Sequence, residues 1–234
     1  MQIAEPSRAA CDSLDRAITL WSRELSPSAE ALRTYEAWLS HDEHARAARF
    51  GRPSLRERYI IGRGTLRLLL SRVLAVAPVE VPIERGRRGR PQVRGEPWID
   101  FNVSHTHDLA VYAIGTHLPA GTRVGIDVEH VDRTPDVDRL ARKLLTSSER
   151  ARLSTLGEHD RRVAFLSTWT CKEAMSKATG DGLIAPFGSI AVESGPAPRV
   201  DAGSAPYTPD RWTLHRAVVD DLHVVTVAIF RGDV

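Results

Sequence analysis

Two long stretches of helical spacing, one in each half of the chain, constrain the fold more than any other feature. Leu66, Leu69, Leu70, Val73 and Leu74 share one helical face, and continuation back through Tyr59 and Leu55 predicts a helix of about five turns that ends before Pro78. A second helix is expected over about 160–179, with Phe165, Trp169, Glu173 and Lys177 at successive i, i+4 positions, stopping at Gly180. Each helix is followed by a pair of strand-like runs. Residues 109–114 and 123–129 are separated by a loop with Pro119 and Gly121, and 212–219 and 222–229 meet at Asp220-Asp221. Residues 194–210, rich in Gly, Pro and Ala, read as a tolerant surface connection. Helix, strands, helix, strands is the order of an α+β fold made of two similar lobes, each a small antiparallel sheet packed with a long helix. The lobes are expected at 1–116 and 117–234, acting as one unit, although no direct sequence repeat relates them.

A chain of 234 residues, 42 % of them hydrophobic, can build a core of this kind. Thirty-two Lys plus Arg against 30 Asp plus Glu leave a net charge of +2, which does not indicate a globally basic nucleic-acid binder. Cys11 and Cys171 are far apart and form no metal-ligand spacing, which suits a reducing compartment better than a disulfide framework. Glu5, Asp12 and Asp15 interrupt the first residues, so no signal peptide is expected. The strongest apolar run, 66–76, contains Arg67 and Arg72 and is too short to cross a bilayer. A cytoplasmic protein without membrane or nucleic-acid partners is therefore expected.

In Val124-Gly125-Ile126-Asp127-Val128-Glu129, apolar residues alternate with Gly125, Asp127 and Glu129, so a strand presents both carboxylates on one face. Side chains two apart on a strand are separated by about 7 Å, within reach of one hard cation that also holds waters and phosphate oxygens, and magnesium fits this better than zinc. The solvated face of an edge strand would explain the same pair. Gly125 leaves space beside the carboxylates, as a bulky ligand would need. Trp169-Thr170-Cys171-Lys172-Glu173-Ala174 adds a third carboxylate flanked by a lysine on an otherwise apolar helix. A surface ion pair would account for Lys172-Glu173, and a routine i, i+4 pair with Glu173 for Lys177.

Phe101-Asn102-Val103-Ser104-His105 sets hydrogen-bonding side chains just before the strand at 109, where an ordinary turn could also place them. His105 can donate to phosphate or exchange protons near neutrality, and His107 serves as its control. Arg85-Gly86-Arg87-Arg88-Gly89-Arg90-Pro91 is a basic loop without interleaved aromatics, better suited to a phosphate-rich small molecule than to nucleic acid. A solvated loop would explain Arg85, Arg87 and Arg88, which leaves Gly89-Arg90-Pro91 as the part of interest.

Taken together, Gly89-Arg90-Pro91, Phe101-Asn102-Val103-Ser104-His105, Gly125-Ile126-Asp127-Val128-Glu129 and Trp169-Thr170-Cys171-Lys172-Glu173-Ala174 resemble the ordered signature of phosphopantetheinyl transferases of the surfactin-synthetase-activating (Sfp-like) type. The four motifs follow one another in this order between Gly89 and Ala174. The resemblance implies two lobes related by a pseudo-two-fold axis, with coenzyme A bound between them. It makes Asp127, Glu129 and Glu173 the acids around Mg2+, with the metal on the coenzyme pyrophosphate. It assigns Ser104 and His105 to coenzyme phosphates, Arg63 to the adenosine 3'-phosphate with help from Arg46, and Gly89, Arg90 and Pro91 to the coenzyme site. Lys172 and Lys177 match the lysines around the third acid, Lys177 serving the phosphate that is attacked. Arginine at 90 departs from the lysine of many relatives, which keeps phosphate binding but alters its geometry.

The reaction so implied is attack by a serine hydroxyl of an acyl or peptidyl carrier protein on the β-phosphate of coenzyme A, releasing 3',5'-adenosine bisphosphate. Glu173 is the first candidate for the serine proton and Glu149, in Ser147-Ser148-Glu149, the second. A monomer is expected. Residues 131–145, with Leu140, Leu144 and Leu145, could dock the carrier, and buried packing explains the same leucines. A magnesium nuclease or phosphodiesterase is the main rival, but Val131 follows Glu129-His130 where such an enzyme favours a lysine. A non-catalytic coenzyme- or RNA-binding protein would leave three acids unexplained.

Overall fold

The sequence periodicities are realised, with shifted ends, in the computed structural model, which describes residues 5–11, 14–26 and 28–232. The first half runs β1 (Ser7–Arg8), β2 (Ile18–Glu24), α1 (Ala29–Ala37), α2 (His41–Ala47), α3 (Pro53–Leu74), β3 (Ile83–Arg85), β4 (Pro91–Val93), β5 (Ile99–His105) and β6 (Leu109–Thr116). The second runs β7 (Thr122–His130), α4 (Val137–Leu144), α5 (Ser147–Ser154), α6 (Glu158–Thr179), β8 (Ala191–Glu193), β9 (Arg199–Ala202), β10 (Trp212–Ala217) and β11 (His223–Arg231). Pro53 stands in the first turn of α3, where its missing N–H costs nothing. At the other end of the second long helix, Gly180 closes α6 in the left-handed region at φ 79°.

One antiparallel sheet has the order β1-β2-β6-β5 and packs on α3; the other has the order β10-β11-β7 and packs on α6. Ile60, Ile61, Leu66, Leu69 and Leu70 of α3 are buried with Phe101, Tyr112 and Ile114 of the first sheet. Phe165, Leu166, Cys171 and Met175 of α6 are buried with Trp212, Leu214 and Ala228 of the second. A third apolar cluster belongs to both lobes, joining Ile18, Leu20, Val111 and Ala113 to Val124, Ile126, Val128, Val225 and Val227. The lobes thus share a core as well as owning one each.

Strands β5 and β7 face each other edge to edge, and side chains of β5 occupy the backbone positions of β7. Val124 N–H donates to Asp100 Oδ2 at 2.7 Å and Ile126 N–H to Asn102 Oδ1 at 3.1 Å. The next residue in that series, Ser104, donates its hydroxyl to Asp127 Oδ1 at 2.8 Å. Asp100, Asn102 and Ser104 alternate along β5, so extended backbone turns all three toward β7.

Three expectations change. Asn102, Ser104 and His105 are residues of strand β5, not of a segment preceding the strands. Leu144 and Leu145 are buried in the core, and Leu140 packs against it, so these leucines offer no apolar docking face. Residues 194–210 contain β9 and the buried Tyr207, so the stretch is partly ordered into the lobe.

Candidate active site

The site begins with a glycine. A Cβ at Gly125 would stand 1.9 Å from Ala174 O and 2.9 Å from Ala178 N, so only glycine lets α6 lie directly on β7. The space expected there for a ligand is filled by the helix backbone, and the close approach brings Asp127 of β7 against Lys177 of α6. Lys177 Nζ donates to Asp127 Oδ1 at 2.6 Å and to Ser104 Oγ at 2.7 Å. Lys177 therefore bonds across the lobes and is not the helix-surface partner of Glu173.

Glu173 lies one turn before Lys177 on α6, half-buried. Burial first, then the negative charges of Asp127 and Glu129, push its carboxyl up to about 7 against the pull of Lys177. The charges of Asp127 and Glu129 are thus near enough to Glu173 to be felt by it. Glu129 is raised as well, chiefly by burial, with Arg133 drawing it back through an ion pair. Asp127 Oδ2 and Glu173 Oε1 are buried with no hydrogen-bond partner among the described residues. Unsatisfied buried carboxylate oxygens are costly, and a hard cation with oxygen ligands satisfies both while relieving the repulsion. The residues present fit Mg2+.

Beside the acids, a cavity of about 640 Å³ is lined by Arg46, Phe50, Tyr59, Arg63, Pro91 and His105. Arg46 lies over the Tyr59 ring at 5.6 Å. Arg63 is anchored by Glu43 Oε1 at 2.6 Å, and the other oxygen of Glu43 takes Arg67 at 2.6 Å. Glu43 is itself fixed by a capping box with Ser40 at the start of α2. Burial and the nearby Lys177 charge lower the His105 pKa, so the ring is neutral at pH 7. His107 lines the same cavity, its Nδ1 and Nε2 each 3.0 Å from an Arg58 guanidinium nitrogen. Gly89 sits in a turn at φ 76° and the Arg87 side chain lies outside the described residues.

Three assignments are corrected by the hydrogen bonds. Arg90 is not free for a phosphate: it grips both oxygens of Asp100 at 2.7 and 2.8 Å, Lys177 O at 3.1 Å and Val124 O at 2.7 Å. It is a clamp between β4, β5, β7 and α6. Lys172 is fully buried, and its three N–H groups go to Leu144 O, Phe187 O and Glu149 Oε2 at 2.9, 2.8 and 2.6 Å. It anchors α6 to the end of α4 and to α5. Glu149 spends its oxygens on Lys172, Thr146 N–H and Val192 N–H, the last two at 2.7 and 2.9 Å, so it cannot take a serine proton. Its place is the third residue of the α5 capping box, visible in Thr146-Ser147-Ser148-Glu149. Sequence reading missed Asp100 and Arg133, although Asp100-Phe101-Asn102-Val103-Ser104 alternates polar and apolar residues as the bridging strand requires.

Residues 123–228 match the 4'-phosphopantetheinyl transferase superfamily and residues 23–117 match the family described as 4'-phosphopantetheinyl transferase, N-terminal. The chain is 35 % identical over 216 residues to the 4'-phosphopantetheinyl transferase HetI of Nostoc sp., an alignment covering 91 % of this chain and 87 % of that protein. It is 28 % identical over 137 residues to the transferase gsp of Aneurinibacillus migulanus, covering 58 % of this chain and 54 % of that protein. With the transferase Sfp of Bacillus subtilis the identity is 22 % over 165 residues, 70 % of either chain. The extent of these matches, falling on two lobes locked around three acids and a lysine, means that the chain belongs to the 4'-phosphopantetheinyl transferases, enzymes that move the phosphopantetheine arm of coenzyme A onto carrier proteins.

Proposed function

We infer that Asp127, Glu129 and Glu173 hold Mg2+ on the coenzyme A pyrophosphate while a carrier-protein serine attacks the β-phosphate and 3',5'-adenosine bisphosphate leaves. The observation that carries this reading is the pair of buried, unpartnered oxygens, Asp127 Oδ2 and Glu173 Oε1, in a cluster whose charges repel. Magnesium, when bound, supplies the positive charge that a pyrophosphate under attack requires. Lys177 has one N–H beyond those given to Asp127 and Ser104, and it presents this donor to the attacked phosphate. Ser104 and His105 border the same place and contact phosphate, Pro91 lines the cavity wall, and the turn at Gly89 leads the chain to it. Arg63 and Arg46 bind the 3'-phosphate.

As the serine oxygen bonds to phosphorus, its proton passes to Glu173 and the bond from phosphorus to the bisphosphate oxygen breaks. The enzyme acts as a cytoplasmic monomer in this reading. Two cysteines far apart in sequence, without metal-ligand spacing, support a reducing compartment, and no helix is long and apolar enough to cross a membrane among the described residues. The lobes divide between 116 and 117, just after β6.

Incubation with magnesium, coenzyme A and a panel of carrier proteins should add about 340 Da to one of them by mass spectrometry, the mass of the transferred arm. Asp127→Asn and Glu173→Gln should abolish the gain, whereas His159→Ala, at an exposed position outside the cavity, keeps it. Equal losses in all three would remove the acids from the chemistry.

A further inference from the structure

A second cluster of ligating groups lies at the other side of Glu129. His130 ends β7, His223 begins β11, and the two are cross-strand partners with rings 4.9 Å apart at 83°. Asp108, in the turn between β5 and β6, reaches them from the first lobe. One donor atom from each of Asp108, His130 and His223 lies within 4.8 Å of the other two. Four-coordinate zinc with bonds of about 2.0–2.1 Å holds its ligands about 3.3 Å apart, and His223 Nε2 already stands 3.3 Å from Asp108 Oδ1.

His223 is built as a ligand is built. Its side chain is 3 % exposed, and Nδ1 lies 2.9 Å from both oxygens of Asp220. A carboxylate on one ring nitrogen fixes the tautomer and turns the lone pair of the other outward, which raises its basicity toward a metal. Asp220 is held in turn by Leu222 N–H at 2.8 Å. A groove of about 560 Å³, bordered by Asp108, His130, Glu129, Asp132 and Arg133, gives solvent access and leaves room for a fourth ligand. The charge of Arg133 is offset by its pair with Glu129. His130 accepts Asp132 N–H at Nδ1, 3.1 Å, so binding through Nε2 needs the ring proton on Nδ1 and gives up that bond.

We propose that Asp108, His130 and His223 form a binding site for a zinc-class transition metal, with Asp220 as its supporting carboxylate and one position open to the groove. Two imidazoles and one carboxylate suit zinc or cobalt(II) and not magnesium, which prefers all-oxygen ligands. The site is thus chemically distinct from the three acids, and it does not depend on their role. A metal there ties the β5–β6 turn of one lobe to the β7–β11 pair of the other.

The test is titration of the metal-stripped, tag-free full chain with cobalt(II) in excess magnesium. One equivalent should give visible d–d absorption of a four-coordinate ion, displaced by one equivalent of zinc. Asp108→Asn, at an exposed position, should keep the fold and weaken cobalt binding at least about tenfold. Asp220→Asn, which keeps an oxygen for Leu222 N–H but loses the charge beside His223, should weaken it by about 10–100-fold, and His223→Gln should abolish the band. Absence of the band in the wild-type chain, or a band unchanged in both Asp108→Asn and His130→Gln, would overturn the site, and these two variants decide the matter even if His223→Gln does not fold.

Discussion

Glu173 shows how a single carboxyl records its surroundings. Its pKa in the folded chain, about 7, lies above the ordinary value of 4.5, so between these values the folded state holds a proton that the unfolded state has released. Stability from this group is full below the ordinary value and lost as pH rises through 7. Glu173→Gln, which cannot ionise, should therefore melt above the wild type at about pH 8 without magnesium, the gap closing near pH 5; a constant gap in calorimetry would contradict the charge cluster. Asp127 and Glu129 were legible in the sequence because strand period two puts them on one face whatever the rest of the chain does. The roles of Arg90 and Lys172 were not. Long basic side chains next to a motif look alike whether they meet a phosphate or, as here, Asp100 and Glu149, and those partners are fixed only by tertiary packing.

At the scale of elements, the approach of α6 to β7 brings Lys177 onto Asp127, and Gly125 sets that distance. Gly125→Ala drives a methyl into the Ala174 carbonyl and should cost about 1–3 kcal/mol or more, as overpacking does. At about 2–4 °C per kcal/mol in a chain of this size, the melting temperature should fall several degrees, and activity should fall with it as Asp127 and Lys177 separate. Wild-type stability with full activity would show that the helix has room to spare. The two long helices were readable from their apolar spacing, and their ends from Pro78 and Gly180. Helices α2 and α5 escaped notice although Ser40-His41-Asp42-Glu43 and Thr146-Ser147-Ser148-Glu149 both carry the capping-box pattern. Short helices have weak periodicity, so the cap was the stronger signal.

For the whole molecule the decisive contact is Arg90, which joins three strands and a helix through groups that are nearly all buried. Arg90→Ala leaves the Asp100 charge with Val124 N–H and the partly exposed Arg123 and should destabilise by about 3–5 kcal/mol in chemical denaturation. A phosphate-binding arginine would instead raise KM for coenzyme A at unchanged stability, so the two readings separate cleanly. The two-lobe plan was legible from the order of elements, but the core shared between lobes was not, because Val124, Ile126 and Val128 carry no mark of which sheet they face. The sheet order β10-β11-β7 has a further meaning during translation. β11 is the middle strand, so β7 leaves the ribosome with one edge bare and keeps it so while α4 through β10 are being made. The first lobe can complete its own sheet early, whereas the strand bearing two of the three acids gains its neighbour only when residues 223–231 emerge, and for that interval it is the segment a chaperone has most reason to cover.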